Sequence, residues 1–286
     1  MTVTSLGVPR RLLEFALDGE PVCVPEGTTL LDACRAFGKE IPALCQVGTL
    51  APGGACRLCV VEVEGTDALV AACCREAEPG MRVRTGSERV RHSRRTVLEL
   101  LASSVDLSTT PQAMGWIEEY GARPDRFGPD AARSEEAPIL DNGLVVRDPG
   151  KCLRCGNCVA ACGGQGRHTF ALAVSGRGAE TRVGVEYDAP LTDSACVYCG
   201  DCLDVCPTGA LSSRTEFDLR AAGTWDEPAQ TATTTVCGHC GVGCRLTLHV
   251  QDNEIVKVTS PHDGPVTRGH LCIKGRFGHQ YIQNRD

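Results

Sequence analysis

Sixteen of the nineteen cysteines in this chain fall into three spaced groups. The first is Cys45-x10-Cys56-x2-Cys59-x13-Cys73, with Cys74 adjacent as an alternative fourth member. The second is Cys152-x2-Cys155-x2-Cys158-x3-Cys162, then Cys196-x2-Cys199-x2-Cys202-x3-Cys206-Pro207, the same run written twice. The third is Cys237-x2-Cys240-x3-Cys244-x27-Cys272. Thiolates are soft ligands that select iron–sulfur clusters, zinc or copper(I), so each group is a candidate metal centre.

The doubled run is the two-cluster ferredoxin pattern, in which the fourth cysteine of each run ligates the other cluster. One [4Fe-4S] cluster is therefore expected on Cys152, Cys155, Cys158 and Cys206, and a second on Cys162, Cys196, Cys199 and Cys202. Gly163 stands where Pro usually follows the fourth cysteine. The first group has the strand–helix–loop–strand surroundings of a [2Fe-2S] site, although its first gap is longer than the plant-type x4. Zinc sites favour two CxxC pairs or Cys/His mixtures, which this group lacks. Taken alone, the third group leaves a zinc ribbon open beside a [4Fe-4S] site.

The elements that must position these ligands are short. An alternating run over Leu12 to Leu17, a turn at Asp18-Gly19 and a second run ending near Val24 predict a hairpin. Thr28 or Thr29 caps a helix reaching Phe37. Strands follow over Val60 to Glu64 and Leu69 to Ala72. Gly48, Gly53 and Gly54 let backbone N–H groups approach a cluster between them. Arg89 to Tyr120 reads as a helix with Val90, Val97, Leu98, Leu100 and Leu101 on its apolar stripe. Residues 121–140 and 218–232 read as linkers, and Arg182 to Tyr187 as one strand of a small hairpin. The fold class is modular α+β: residues 1–88 a β-grasp [2Fe-2S] ferredoxin domain, 89–140 a helical linker, 141–217 a double [4Fe-4S] ferredoxin domain, and 233–286 a small [4Fe-4S] domain.

Composition narrows the function. The net charge of -7, with no basic stripe, argues against a nucleic-acid partner. No run reaches the roughly 18 apolar residues of a membrane span. Pro9-Arg10-Arg11 faintly resembles a twin-arginine signal, but Glu14 and Asp18 interrupt the apolar segment such a signal needs. A cytoplasmic location is expected, where clustered cysteines mean metal or redox chemistry. Cys23, Cys34 and Cys74 read as buried small residues outside the ligand sets. His239 is either an exposed residue or a donor to a cluster sulfur, and Tyr198 reads as packing. There is no GxGxxG after a strand and no P-loop, and Gly163-Gly164-Gln165-Gly166 follows a cluster ligand as a turn.

In these motifs the chain resembles the N-terminal iron–sulfur region of cytoplasmic NAD-dependent formate dehydrogenase alpha subunits. It is also similar to the diaphorase iron–sulfur subunit of soluble NAD-linked [NiFe]-hydrogenases and to the iron–sulfur subunit of complex I. In those families six residues and a Gly-Met pair follow the last [2Fe-2S] cysteine; Cys73 stands that far ahead of Gly80-Met81, which implies Cys73 over Cys74. The resemblance implies a [4Fe-4S] cluster on Cys237, Cys240, Cys244 and Cys272 of the molybdopterin-oxidoreductase type, and it aligns Lys274 with a lysine between cluster and pterin. The family's His-plus-three-Cys cluster motif is absent from Leu101 to Asp106, so no cluster is expected there.

The expected function is an iron–sulfur electron-transfer subunit carrying one [2Fe-2S] and three [4Fe-4S] clusters, with no catalytic site of its own. It would link a flavoprotein that binds FMN and NAD(P) to a catalytic subunit with a Ni-Fe or Mo/W-pterin site, with ferredoxin as a further partner. Hydride chemistry needs a flavin or similar cofactor, since clusters move single electrons. Flavin-based electron bifurcation is compatible with so many clusters, but no motif marks it. Potentials are expected around the roughly -400 mV of ferredoxins. The alternative is an N-terminal fragment of a molybdopterin-dependent formate dehydrogenase catalytic subunit, ending at Asn284-Arg285-Asp286.

Overall fold

The computed structural model describes residues 10–128, 131 and 136–283, with backbone alone at residue 179. The chain divides into two compact units. The first comprises residues 1–46, 52–104 and 111–131, the second residues 47–51, 105–110 and 132–286.

In the first unit β1 (Leu12–Leu17) and β2 (Glu20–Pro25) form an antiparallel hairpin. Leu13, Phe15 and Leu17 are buried at alternate positions, as a strand with one face on a core requires. Asp18 and Gly19, both with positive φ, close the turn. The Asp18 carboxylate accepts 2.7 Å hydrogen bonds from the Thr85 N–H and hydroxyl. Thr29 caps α1 (Leu30–Ala36) by accepting from the Asp32 N–H at 3.1 Å. Next come β3 (Val60–Val63), β4 (Val70–Ala71) and β5 (Arg82–Arg84). The sheet order is β2-β1-β5-β3-β4 with β1 parallel to β5, the mixed sheet expected of a β-grasp. Its core joins Phe15, Leu17, Val22, Val61 and Val83 to Leu30, Leu31 and Cys34 of α1.

Two helices follow where one is expected: α2 (Glu88–Ser104) and α3 (Pro111–Glu119). Pro111 stands at the start of the second, where its missing N–H costs nothing. The buried face of α2 carries Val90, Arg94 and Leu98, spaced by four, together with Glu99, while Leu100 is exposed. Hydrophobicity therefore misplaced part of the stripe, because the face includes two buried charges with partners.

In the second unit β6 (Val145–Arg147) precedes α4 (Asn157–Cys162), and β7 (Ala173–Ser175) pairs with β8 (Arg182–Gly184). The expected strand over Arg182 to Tyr187 is thus shorter, and Tyr187 sits at φ 56 in a tight turn. Then come α5 (Asp201–Asp204), β9 (Leu211–Ser213) and α6 (Arg214–Ala221). Strands β6 and β9 pair antiparallel and join the two cysteine runs. Three antiparallel strands follow: β10 (Thr231–Val236), β11 (Arg245–Gln251) and β12 (Glu254–Thr259). The region expected as a linker over 218–232 is partly α6 and partly β10. The unit closes with α7 (Ile273–Phe277) and α8 (Gln280–Gln283). In the other expected linker, Ile139 bridges to Arg147, while residues 129–130 and 132–135 lie outside the described residues. So do the terminal residues 284–286.

Candidate iron–sulfur centres

In the first unit the loop between α1 and β3, with the turn after β4, brings Cys45, Cys56, Cys59 and Cys73 together, all buried. The Cys56 N–H donates to Cys45 Sγ at 3.3 Å. The neighbouring Cys56 and Cys73 thiols favour the thiolate at Cys45 and pull its pKa down, with burial opposing them. Donation to Cys45, with burial, pushes Cys56 and Cys73 up. Cys74 is exposed, 3.5 Å from Cys73 Sγ and on the outer side of the set. Its sulfur occupies the space a Cβ on Gly54 (φ +60) would need, at 2.9 Å, so that turn requires glycine.

Arg94, 2% exposed, anchors the segment carrying Cys59. Its Nε donates to the Leu58 carbonyl at 3.1 Å, Nη2 to the Val60 carbonyl at 2.8 Å, and Nη1 to the Tyr120 hydroxyl at 2.9 Å. A neighbouring buried carboxylate, Glu99, accepts from the Arg123 N–H and the Arg126 guanidinium. Burial pushes its carboxyl up, but these donors outweigh it and hold it below the usual range.

In the second unit the two cysteine runs repeat backbone as well as spacing. Arg154 and Tyr198 have φ 59 and 50, and Gly156 and Gly200 have φ +79 and +74, ahead of α4 and α5. Cys152, Cys155, Cys158 and Cys206 line one cavity; Cys162, Cys196, Cys199 and Cys202 line a second. Arg147, Leu172 and Leu211 belong to the walls of both. Each set thus draws three thiols from one run and one from the other. Burial pushes the Cys152, Cys158, Cys196, Cys199 and Cys202 thiols up, so a metal must displace their protons.

The third group is more open. Cys237 is buried against Leu246, Val258 and Leu271, and its N–H donates to the Cys244 carbonyl at 2.8 Å. Cys240 and Cys272 are exposed, and Cys272 caps α7. Lys274 is exposed on the same helix. His239 packs edge-on against Tyr281, with ring centroids 5.6 Å apart. Tyr198 packs beside Cys196 and Cys202, as expected. Of the three cysteines outside the groups, Cys34 is buried and pushed up to about 11 by burial and then by Asp18. Cys23 and Cys74 are exposed, against expectation: the alternation of β2 turns Cys23 outward.

The donors fit iron–sulfur clusters. All are thiols, and none is in a disulfide. Among the described residues no three His, Cys, Asp or Glu side chains converge on a single metal ion. A cluster does not require that, because its irons share the ligands: one cysteine to each iron in a [4Fe-4S] cluster and two to each in a [2Fe-2S] cluster. Bound clusters supply one-electron chemistry; the chain buries or half-buries the thiols of the first two groups, turns N–H groups toward their sulfurs (Cys56 to Cys45, Tyr198 to Cys196, Leu211 to Cys206) and supplies cations nearby. Sequence reasoning missed Arg94, Arg167, Asp201 and Arg276, all buried or half-buried charges. One signal was available: Asn157 and Asp201 hold matching places in the repeats.

Fold and thiol sets together define an iron–sulfur protein of several modules. Three known families match parts of it. Residues 10–88 match the 2Fe-2S iron-sulfur cluster binding domain, 151–210 the 4Fe-4S dicluster domain, and 230–284 the molybdopterin oxidoreductase Fe4S4 domain. The chain is 33% identical over 286 residues to the NADPH-Fe(3+) oxidoreductase subunit alpha of Geobacter sulfurreducens, covering 96% of this chain and 32% of that one. It is 31% identical over 283 residues to a subunit of the NADH-quinone oxidoreductase of Rhizobium meliloti, with 96% and 32% covered. Among solved structures, a chain of an NAD+-reducing [NiFe]-hydrogenase in the H2-reduced state superposes with a TM-score of 0.61 at 30% identity, covering 71% of this chain and 87% of that one. The chain belongs to the family of iron–sulfur electron-transfer proteins that these oxidoreductases and hydrogenases share, which extends to formate dehydrogenase-like proteins. It spans about a third of the length of the curated relatives it matches. Among the described residues no helix is long and apolar enough to cross a membrane.

Proposed function

We propose that the chain is the electron conduit of a larger NAD(P)-linked oxidoreductase. It holds one [2Fe-2S] cluster on Cys45, Cys56, Cys59 and Cys73. It holds [4Fe-4S] clusters on Cys152, Cys155, Cys158 and Cys206; on Cys162, Cys196, Cys199 and Cys202; and on Cys237, Cys240, Cys244 and Cys272. The observation that carries this reading is the pair of adjacent cavities, each lined by four thiols contributed by both runs. Electrons enter from a flavoprotein with FMN and NAD(P) and leave toward a Ni-Fe or Mo/W-pterin catalytic site, in the cytoplasm. Ferredoxin is a further exchange partner, and several clusters in one chain offer branch points for flavin-based bifurcation. The domains run 1–88, 89–140, 141–217 and 233–286.

A second reading makes these residues the N-terminal part of a molybdopterin-dependent formate dehydrogenase chain. The match of residues 230–284 to the molybdopterin oxidoreductase Fe4S4 domain favours it. Anaerobic purification from the native host with partners attached, followed by elemental mass spectrometry for Fe, Ni, Mo and W, tests both. Nickel alone beside iron marks a hydrogenase conduit. Molybdenum or tungsten marks a formate dehydrogenase, and the mass of the chain bearing the pterin separates a partner subunit from a continuous chain. Iron absent from protein purified with its partners overturns both readings.

A further inference from the structure

Asn157 and Asp201 follow the positive-φ glycines Gly156 and Gly200 of the two repeats, and both are buried, at 4% and 5% exposure. Asn157 is neutral and donates to the Val205 carbonyl at 3.3 Å. The first repeat therefore starts its helix without a charge at this place, and the carboxylate of Asp201 is not needed for the turn. A buried carboxylate is costly unless cations and donors surround it. Around Asp201 they do: Arg167 Nε donates to Oδ2 at 2.7 Å, His270 Nδ1 lies 2.7 Å from the same oxygen, and Arg276 Nη2 is 3.8 Å from Oδ1.

The arrangement orients Arg167. Besides Asp201, its guanidinium donates through Nη2 to the carbonyl of Leu271, the residue before Cys272, and its charge acts on the Cys199 thiol against the effect of burial. An arginine cannot lose its charge, and its planar fork serves several acceptors at once. Hydrogen bonds to the ligand sulfurs and the charge around a cluster are among the levers that set its potential.

We propose that Arg167 sets the reduction potential of the cluster held by Cys162, Cys196, Cys199 and Cys202, with Asp201, which lines the cavity of those four thiols, as the positioning residue that holds its guanidinium there. The cation stabilises the added electron of the reduced cluster and raises its potential; the Asp201 carboxylate offsets part of that effect. The inference rests on the assignment of those four cysteines to one cluster.

The test is an EPR-monitored redox titration of the anaerobic, iron-loaded full chain, with iron content measured on the same samples. Arg167→Gln is expected to keep its iron and to move that one midpoint downward, leaving the other clusters in place. Arg167→Lys, which keeps the charge without the fork, is expected to recover part of the shift. Asp201→Asn keeps an amide oxygen to accept from Arg167 while removing the opposing negative charge, and is expected to move the midpoint upward, a sign that mere loosening of the fold does not produce. Unmoved midpoints at full iron content, or shifts of the same sign in the Gln and Asn variants, overturn the proposal. Should Arg167→Gln lose iron, the Lys and Asn variants decide on their own by the same signs. Cys199→Ser checks the ligand assignment separately: an unaltered spectrum of the titrating cluster in that variant refutes the assignment rather than the role of Arg167.

Discussion

Arg276, 4% exposed, forks onto Asp204: Nη1 donates to Oδ1 at 2.9 Å and Nη2 to Oδ2 at 2.5 Å. The same guanidinium donates to the Val258 carbonyl at 2.9 Å and to the Cys199 carbonyl at 3.3 Å. One side chain from α7, just past Cys272, thereby fixes β12 and the second cysteine run to each other. Removing the guanidinium leaves the buried Asp204 without its hydrogen-bonded counter-charge, so Arg276→Met is expected to lower stability by about 3 kcal/mol. Chemical denaturation of the iron-loaded chain measures this; an unchanged midpoint contradicts it.

Gly200 belongs to the same contact. Its φ of +74 disfavours any side chain, and a Cβ there meets Arg276 Nε at 2.8 Å. Gly200→Ala is expected to cost about 1–2 kcal/mol from the backbone alone, plus displacement of Arg276. Gly156, at the matching place in the first repeat, has open space around its Cβ, so Gly156→Ala should show the backbone cost without the clash. Equal losses in the two variants count against this account.

Cysteine substitutions separate the ligand sets. Cys206→Ala is expected to damage the cluster of the first run, since Cys206 lines the cavity of Cys152, Cys155 and Cys158. Cys73→Ala is expected to abolish or alter the [2Fe-2S] spectrum, and Cys74→Ala to spare it, because only Cys73 is buried among the other three thiols. EPR of each variant decides, and loss of the second run's signal alone in Cys206→Ala rules out crossed ligation.

Glu99 gives the first unit a pH dependence. Burial raises its carboxyl, but Arg126 and the Arg123 N–H lower it more, so its folded pKa is depressed. Its contribution is then present above the unfolded glutamate pKa of about 4.3 and is lost as pH falls through the folded value. Glu99→Gln is expected to cost about 1–3 kcal/mol at neutral pH, with the gap to wild type closing under acid conditions. Thermal melts at both pH values check this, and a gap that persists in acid contradicts it.

Iron removal should not affect the chain evenly. The first unit has an apolar core under its sheet, with Phe15, Leu17, Leu30, Leu31, Val61 and Val83 buried. Around the two cysteine runs the thiols Cys158, Cys162, Cys196, Cys202 and Cys206 make up much of the packing with Leu172 and Leu191. Anaerobic chelation is expected to open residues 145–213 to protease while most of residues 10–88 stays protected. Mass spectrometry of the fragments shows which region opens. Because metal binding expels thiol protons, chelation should be faster at lower pH.

Local chemistry made much of this protein legible in its sequence. Cysteine spacing marks cluster sites because most ligands of each set lie in one short run, and a family model matches around each of the three groups. The hairpin of Leu12–Leu17 and Glu20–Pro25 follows from alternation and the Asp18-Gly19 turn, and the Thr29 cap from a hydroxyl placed three residues ahead of the Asp32 N–H. Other features depend on neighbours distant in the chain. Arg94 reads as a surface residue until the Leu58 and Val60 carbonyls stand beside it, and Glu99 until Arg123 and Arg126 do. The single helix expected over Arg89 to Tyr120 breaks at residues 105–110, where the Asp106 N–H donates to the Gly150 carbonyl and the Thr109 hydroxyl to the Thr208 carbonyl. Composition and periodicity report which residues prefer to leave water. Whether a charge can be buried is decided by the donors and counter-charges that the tertiary structure brings to it.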